Sequence, residues 1–201
     1  KVISAANGSA GSTGVEVALP AGTVALDKTA LAAVNAKGGD VTVSVEKLDN
    51  SKLTETQREV LGKQAETALV VDVTVLAGGQ KVTAFDGGSV GVSVPYTPKA
   101  GEDTSRLVVW FVKDDGSIEP KTGSYNAKTG KFEFQTQHLS QYVLVSFPFR
   151  DVSAGSWYYG SAAYAYMNGL FSGTTDTTFS PGTTMTRGML VTVLWRMAGK
   201  P

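Results

Sequence analysis

The sequence predicts a mainly β fold with short helices, an antiparallel β-sandwich, followed by a C-terminal α-helical hairpin. Three observations carry that prediction. Apolar residues alternate with period two in short runs up to about residue 147, turn signals rich in Gly, Asn and Asp separate the runs, and beyond Pro148 the apolar spacing becomes helical. Strands at hairpin spacing with only brief helices between them favour a sandwich over a parallel α/β sheet.

Residues 5–14 are mostly Gly, Ser, Ala and Asn, so 1–14 reads as a linker. Val15, Val17 and Leu19 then alternate with other residues and stop at Pro20, a short strand. Asp27 is placed to cap a helix over 28–35 that Gly38-Gly39 ends. Val41-Thr42-Val43-Ser44-Val45 predicts a strand whose valines share one buried face. Thr54-Glu55-Thr56-Gln57 matches a capping box, and Gly62 suits the left-handed stop of the short helix that follows.

Strands are predicted over 69–76, 81–85 and 90–96, separated by Gly78-Gly79 and Gly87-Gly88, with Pro95 and Pro98 marking an edge or an exit. The nearly continuous apolar run 107–112 reads as a central strand with Trp110 in the core. The turns Asp114-Asp115-Gly116-Ser117 and Asn126 to Gly130 lead on to the strands around Phe132-Glu133-Phe134 and Tyr142-Val143-Leu144-Val145.

After Pro148 the spacing predicts a helix over 157–168 that stops at Gly169, then a Thr- and Gly-rich loop. Thr186 caps a second helix, where Met189, Leu190, Val193, Leu194 and Met197 form one apolar stripe. Two helices make too small a core to stand alone, so the stripe is expected to dock on the sandwich or on a neighbouring copy in a homo-oligomer.

Composition narrows the function classes. Hydrophobic residues at 42% against 18% charged supply a packed core; 201 residues admit one large or two smaller domains, and the change of pattern around Pro148 favours two. With 18 Lys plus Arg balanced by 18 Asp plus Glu, no basic stripe is present, so nucleic acid is not an expected partner. No run approaches the roughly 20 apolar residues of a membrane span. Lys1-Val2-Ile3-Ser4 does not open a signal peptide, and the chain reads as a piece of something longer. The lack of cysteine excludes disulfides, thiolate nucleophiles and cysteine-based zinc sites.

Few residues suggest catalysis. Asp114 and Asp115 are adjacent in a turn, where Asp bonds its own backbone, rather than spaced as a glycosidase pair. Asp27, Asp40, Asp49 and Asp176 do not form a calcium loop, so neither metal nor cofactor is expected. His138 is the sole histidine. His138-Leu139-Ser140 is similar to the His-Phe-Ser site of some self-cleaving β-sandwich modules, in which the hydroxyl attacks the preceding carbonyl while the imidazole assists proton transfer. That makes His138 and Ser140 the candidate catalytic pair for cleavage at Leu139-Ser140; the structural alternative packs His138 at a strand bend with Ser140 bonding the turn.

Phe149-Arg150-Asp151-Val152, Trp157, Ala162-Ala163, Asn168-Gly169-Leu170, Gly173, Asp176, Phe179-Ser180-Pro181 and Met185-Thr186-Arg187 fall in the order and spacing of an S-layer homology repeat, which 148–201 therefore resembles. The resemblance implies a unit that works in threes and holds extracellular surface proteins non-covalently on secondary cell-wall polysaccharide. It implies glycan contacts near Asp151, Trp157, Thr186 and Arg187, with the Arg facing the acidic group of the glycan. Charge-assisted forked hydrogen bonds and stacking on an indole face suit those roles. The family commonly continues Thr-Arg with Ala-Glu, whereas Gly188 and Met189 follow here, so Thr186 can cap its helix without a reciprocal side-chain bond.

Residues 15–147 resemble, in Val94-Pro95-Tyr96, the Trp110 strand and His138-Leu139-Ser140-Gln141-Tyr142, a β-rich module found ahead of such repeats in Gram-positive surface proteins. Its implied role is that of a spacer or display domain without enzymatic activity. An adhesin or carbohydrate-binding module is the alternative from another class.

Overall fold

The computed structural model describes residues 14–113, 115–121 and 123–199. The predicted linker, except Gly14, and Asp114 of the predicted turn lie outside the described residues.

Strands β1 (Gly14–Leu19) and β2 (Gly22–Asp27) form a hairpin. The Asp27 carboxylate then accepts from the Ala30 amide at 2.7 Å and caps helix α1 (Lys28–Ala36), as the sequence predicts. Strand β3 (Val41–Leu48) leads to α2 (Glu55–Leu61), where both halves of the Thr54–Gln57 capping box are formed. Next come β4 (Leu69–Ala77), β5 (Gln80–Lys81), β6 (Val90–Pro95), β7 (Leu107–Val112), β8 (Ile118–Lys121), β9 (Gly123–Asn126), β10 (Lys131–Thr136) and β11 (Gln141–Ser146). Helices α3 (Tyr159–Met167) and α4 (Arg187–Met197) close the chain.

All strand pairs are antiparallel. One sheet runs β1-β2-β6-β10-β9; the other runs β3-β4-β11-β7-β8, with β5 paired to β4. The predicted mainly β fold with two antiparallel sheets and short helices is therefore what forms.

Two expectations, the extent of the run 81–85 and the start of the helix near 157, need correction, and three strands form where none was expected. The run 81–85 is strand only at its start, and Ala84 then makes a single bridge to His138. Strand β6 lies between β2 and β10 and ends at Pro95, so of the edge or exit expected at Pro95 and Pro98 it is the exit that forms. Strands β2, β8 and β9 lacked a period-two apolar signal because they are short or carry small and polar residues. The helix expected from residue 157 begins at Tyr159, leaving Trp157 ahead of it.

Two cores explain the long apolar runs. Between the sheets, Val24, Val73, Val92, Phe132 and Tyr142 pack with Leu31 of α1 in a first core. Strands β7 and β11 are apolar on both faces because the other face is buried as well. There Trp110, Val143 and Val145 meet Leu61 of α2 and Tyr159, Ala163 and Met167 of α3 in a second core. The second sheet thus sits between the first sheet and a helical layer.

Candidate functional site

The C-terminal segment is fixed to the sheet by its first helix. The Trp110 indole N–H donates to the Tyr159 hydroxyl at 2.8 Å inside the second core, so each large side chain satisfies the other's one polar atom. Burial pushes the Tyr159 phenol up to about 12, against a lowering influence from the Trp110 hydrogen bond, and it stays protonated. At the far end of α3, the Asn168 side-chain amide donates to the Val60 carbonyl at 3.2 Å. Gly62, at φ +53°, lets α2 approach so closely that an added Cβ would stand 2.1 Å from the Met167 carbonyl oxygen.

Asp151 organises the loop between the helices. Its carboxylate accepts from the Phe179 amide at 2.8 Å and the Ser180 amide at 2.7 Å, and the Arg150 amide donates to the Thr177 carbonyl at 3.1 Å. Ser180 is held at φ 61°, a left-handed conformation costing a non-glycine residue roughly 1–3 kcal/mol. Gly173 of the same loop has φ +84°, and a Cβ there would fall 2.4 Å from the Phe149 ring. Phe149 in turn stacks edge-on against Phe147, Tyr166 and Phe179. The spaced Asp, Gly and Phe-Ser-Pro residues of the repeat are therefore one mutually supporting turn system.

Trp157 lies outside that system and is 92% exposed. It rims two depressions. The larger, about 490 Å³, is shared with Gly116, Ser117 and Pro120 of the sandwich and Tyr164 of α3; the smaller, about 230 Å³, is shared with Tyr158, Phe179 and Pro181. Tyr164, which no motif in the sequence singles out, is exposed on α3. Its signal lay in the aromatic spacing Trp157, Tyr158, Tyr164 around a helix start.

Thr186 caps α4 by accepting from the Met189 amide at 3.2 Å, and Met189 offers no reciprocal bond, as expected from its replacing a Glu. Arg187 is the first residue of α4 and is exposed. No hydrogen bond, ion pair or ring contact among the described residues joins it to Asp151 or Trp157. The apolar stripe does not dock on the sandwich: Leu190, Leu194 and Met197 are exposed, Val193 is half-buried, and α4 buries no residue. The Arg196 guanidinium donates to the Leu170 carbonyl at 3.0 Å and ties α4 to the turn after α3.

His138 packs its ring on Phe111 at 4.9 Å, and its Nε2 is buried without a partner among the described residues. Burial, followed by the Lys121 ammonium, holds the imidazole pKa below its usual value despite an opposing pull from Glu119. The Thr136 and Tyr142 hydroxyls both donate to the His138 carbonyl, one peptide before the bond that Ser140 would attack. Thr136, rather than Ser140, also accepts from the His138 amide. Among the described residues no cluster of His, Asp or Glu could hold a metal, and no helix is long and apolar enough to cross a membrane.

The C-terminal unit is thus a helix–loop–helix with a projecting indole, seated by its first helix on a two-sheet β module. Residues 148–188 match the family model of the S-layer homology domain, a non-catalytic domain that binds cell-wall polysaccharide and implies anchoring at the cell surface. No curated protein and no solved structure gives a match.

Proposed function

We propose that the chain is a non-enzymatic, extracellular cell-surface module. In it, residues 15–147 act as a spacer or display unit, and 148–201 as a single repeat contributing to non-covalent anchoring on secondary cell-wall polysaccharide. The observation that carries this reading is the S-layer homology match at 148–188, in a region where Trp157 stands 92% exposed at the rim of a 490 Å³ depression.

The roles divide between contact and support. The indole of Trp157 offers a flat apolar face to a sugar ring with little rotamer entropy to lose. Arg187, in the first turn of a helix whose first two amides have no partner within the helix, is suited to a glycan carboxylate. Thr186 starts that helix and so sets where Arg187 points, while Asp151 holds the loop beneath.

Retention on purified pyruvylated wall polysaccharide tests this, with the chain displayed in many copies on beads to raise avidity. Trp157→Ala and Arg187→Ala are each expected to weaken retention at least tenfold, about 1.4 kcal/mol. Equal retention of both variants and the parent chain overturns the assignment.

A further inference from the structure

The larger depression at Trp157, about 490 Å³, is not built by the C-terminal repeat alone. The turn between β7 and β8 and the start of β8 contribute Gly116, Ser117, Ile118 and Pro120, while the repeat contributes Ser156, Trp157, Ser161 and Tyr164. Clefts where two units meet are where small-molecule sites concentrate.

The two sides are held as one body. Trp110 of β7 donates to Tyr159 of α3, and Ile118 packs on the same core as Tyr159. Gly116 has φ +81°, and a Cβ there would stand 3.1 Å from the Thr56 and Val60 side chains, so the turn is pressed against α2. The Lys113 amide donates to the Ser117 carbonyl at 2.9 Å, and the Ser117 amide donates to the Asp115 carboxylate at 2.8 Å. Both bonds use main-chain atoms of Ser117, so a new side chain at this exposed position leaves them in place.

The lining selects among ligands. None of the described residues that line the depression is charged, so a charged group would lose water there without gaining a partner. What the depression offers is the Trp157 indole, the half-exposed Tyr164 ring and the hydroxyls of Ser117, Ser156 and Ser161. Aromatic faces take apolar C–H surface, and hydroxyls exchange hydrogen bonds with other hydroxyls. An uncharged sugar residue presents both kinds of surface. Arg187 lines neither this depression nor the smaller one beside it, so the acidic group of a glycan would be read elsewhere. Resting on the anchoring reading, we propose that this depression is a composite subsite for an uncharged sugar residue of the wall polysaccharide. The β7–β8 turn is its specificity-determining wall, so residues 15–147 take part in recognition as well as in spacing.

The full 201-residue chain on beads tests this when offered two forms of one polysaccharide, the pyruvylated form and the same material stripped of its pyruvyl groups by mild acid. The parent chain is expected to be retained on both. On the stripped form Arg187→Ala matches the parent, whereas Trp157→Ala and Ser117→Ile, which fills the depression from the β-module side, each fall at least tenfold. An exposed substitution of this kind leaves Tm level. Pro120→Ala removes apolar wall and is the second variant should Ser117→Ile not fold, with an expected loss of severalfold. Parent-level retention of Ser117→Ile and Pro120→Ala while Trp157→Ala falls overturns the composite subsite and leaves the anchoring reading standing. Loss of all retention on removal of the pyruvyl groups overturns the uncharged ligand. A parent chain retained on neither form overturns the anchoring reading, and this proposal with it.

Discussion

The two helices of the C-terminal unit carry comparable apolar content and meet opposite fates. Helix α3 buries Tyr159, Ala162, Ala163 and Met167 against the outer face of the second sheet, whereas α4 buries no residue and shows Leu190, Val191, Leu194 and Met197 to solvent. The difference lies in what each helix faces. Small Ala162 and Ala163 let α3 lie close to a sheet that already presents Trp110, Val143 and Val145, and an aromatic pair closes the contact with a hydrogen bond. Amphipathic pattern gives a helix a face to bury, and a complementary surface decides whether burial happens.

Removing that surface breaks the comparison most sharply. Trp110→Ala empties the centre of the second core and is expected to cost about 3–5 kcal/mol in urea unfolding. Hydrogen exchange should then find α3 as unprotected as α4. Tyr159→Phe keeps the shape but leaves the Trp110 N–H buried without an acceptor, at an expected cost of about 1–3 kcal/mol. If it were neutral, the hydrogen bond would not be what seats α3.

Asp151 joins the two fates, since it anchors the loop that leads from the buried helix to the exposed one. Asp151→Ala removes acceptors from two amides and is expected to cost about 1–2 kcal/mol, held down by solvent screening. Burial, the largest single influence, raises the Asp151 pKa, but the amide bonds from Phe179 and Ser180 together outweigh it and hold the carboxyl below its usual value. A carboxyl depressed on folding contributes stability that is complete above about pH 4 and is lost as pH falls through the folded-state value. Amide exchange at Phe179 and Ser180, followed downward from pH 5 and normalised to the intrinsic rate of each amide, should accelerate once that value is passed. No acceleration in the parent chain would separate the loop from Asp151 titration.

Much of this was legible in the residues. The Asp27, Thr54 and Thr186 caps all form, because a cap is a local bargain between one side chain and amides two or three residues on. The run 107–112 was legible as an interior strand, but not what covers its second face, since nothing local in Val108, Trp110 and Val112 names α3 as the partner. Small outward residues hid β2, whose Thr23 and Ala25 break the apolar alternation. At the candidate site, Trp157 and Arg187 stood out by spacing, while the loop-holding geometry of Asp151 needed coordinates because its partners lie 28 and 29 residues away.

The smallest expected effect sharpens the comparison from the exposed side. Leu194→Ala deletes most of a large side chain from α4, but that side chain is 53% exposed, so little surface leaves water on folding and little is forfeited on truncation. A change within about 0.5 kcal/mol is expected in dilute solution, against the several kcal/mol at Trp110. Repeating the measurement over a hundredfold range of protein concentration decides whether the stripe is solvated or covered by another copy. Anything that binds only the folded form makes apparent stability rise with concentration, and Leu194→Ala would then remove that rise. A flat dependence in both proteins leaves α4 as an isolated helix held by its Thr186 cap and the Arg196–Leu170 bond.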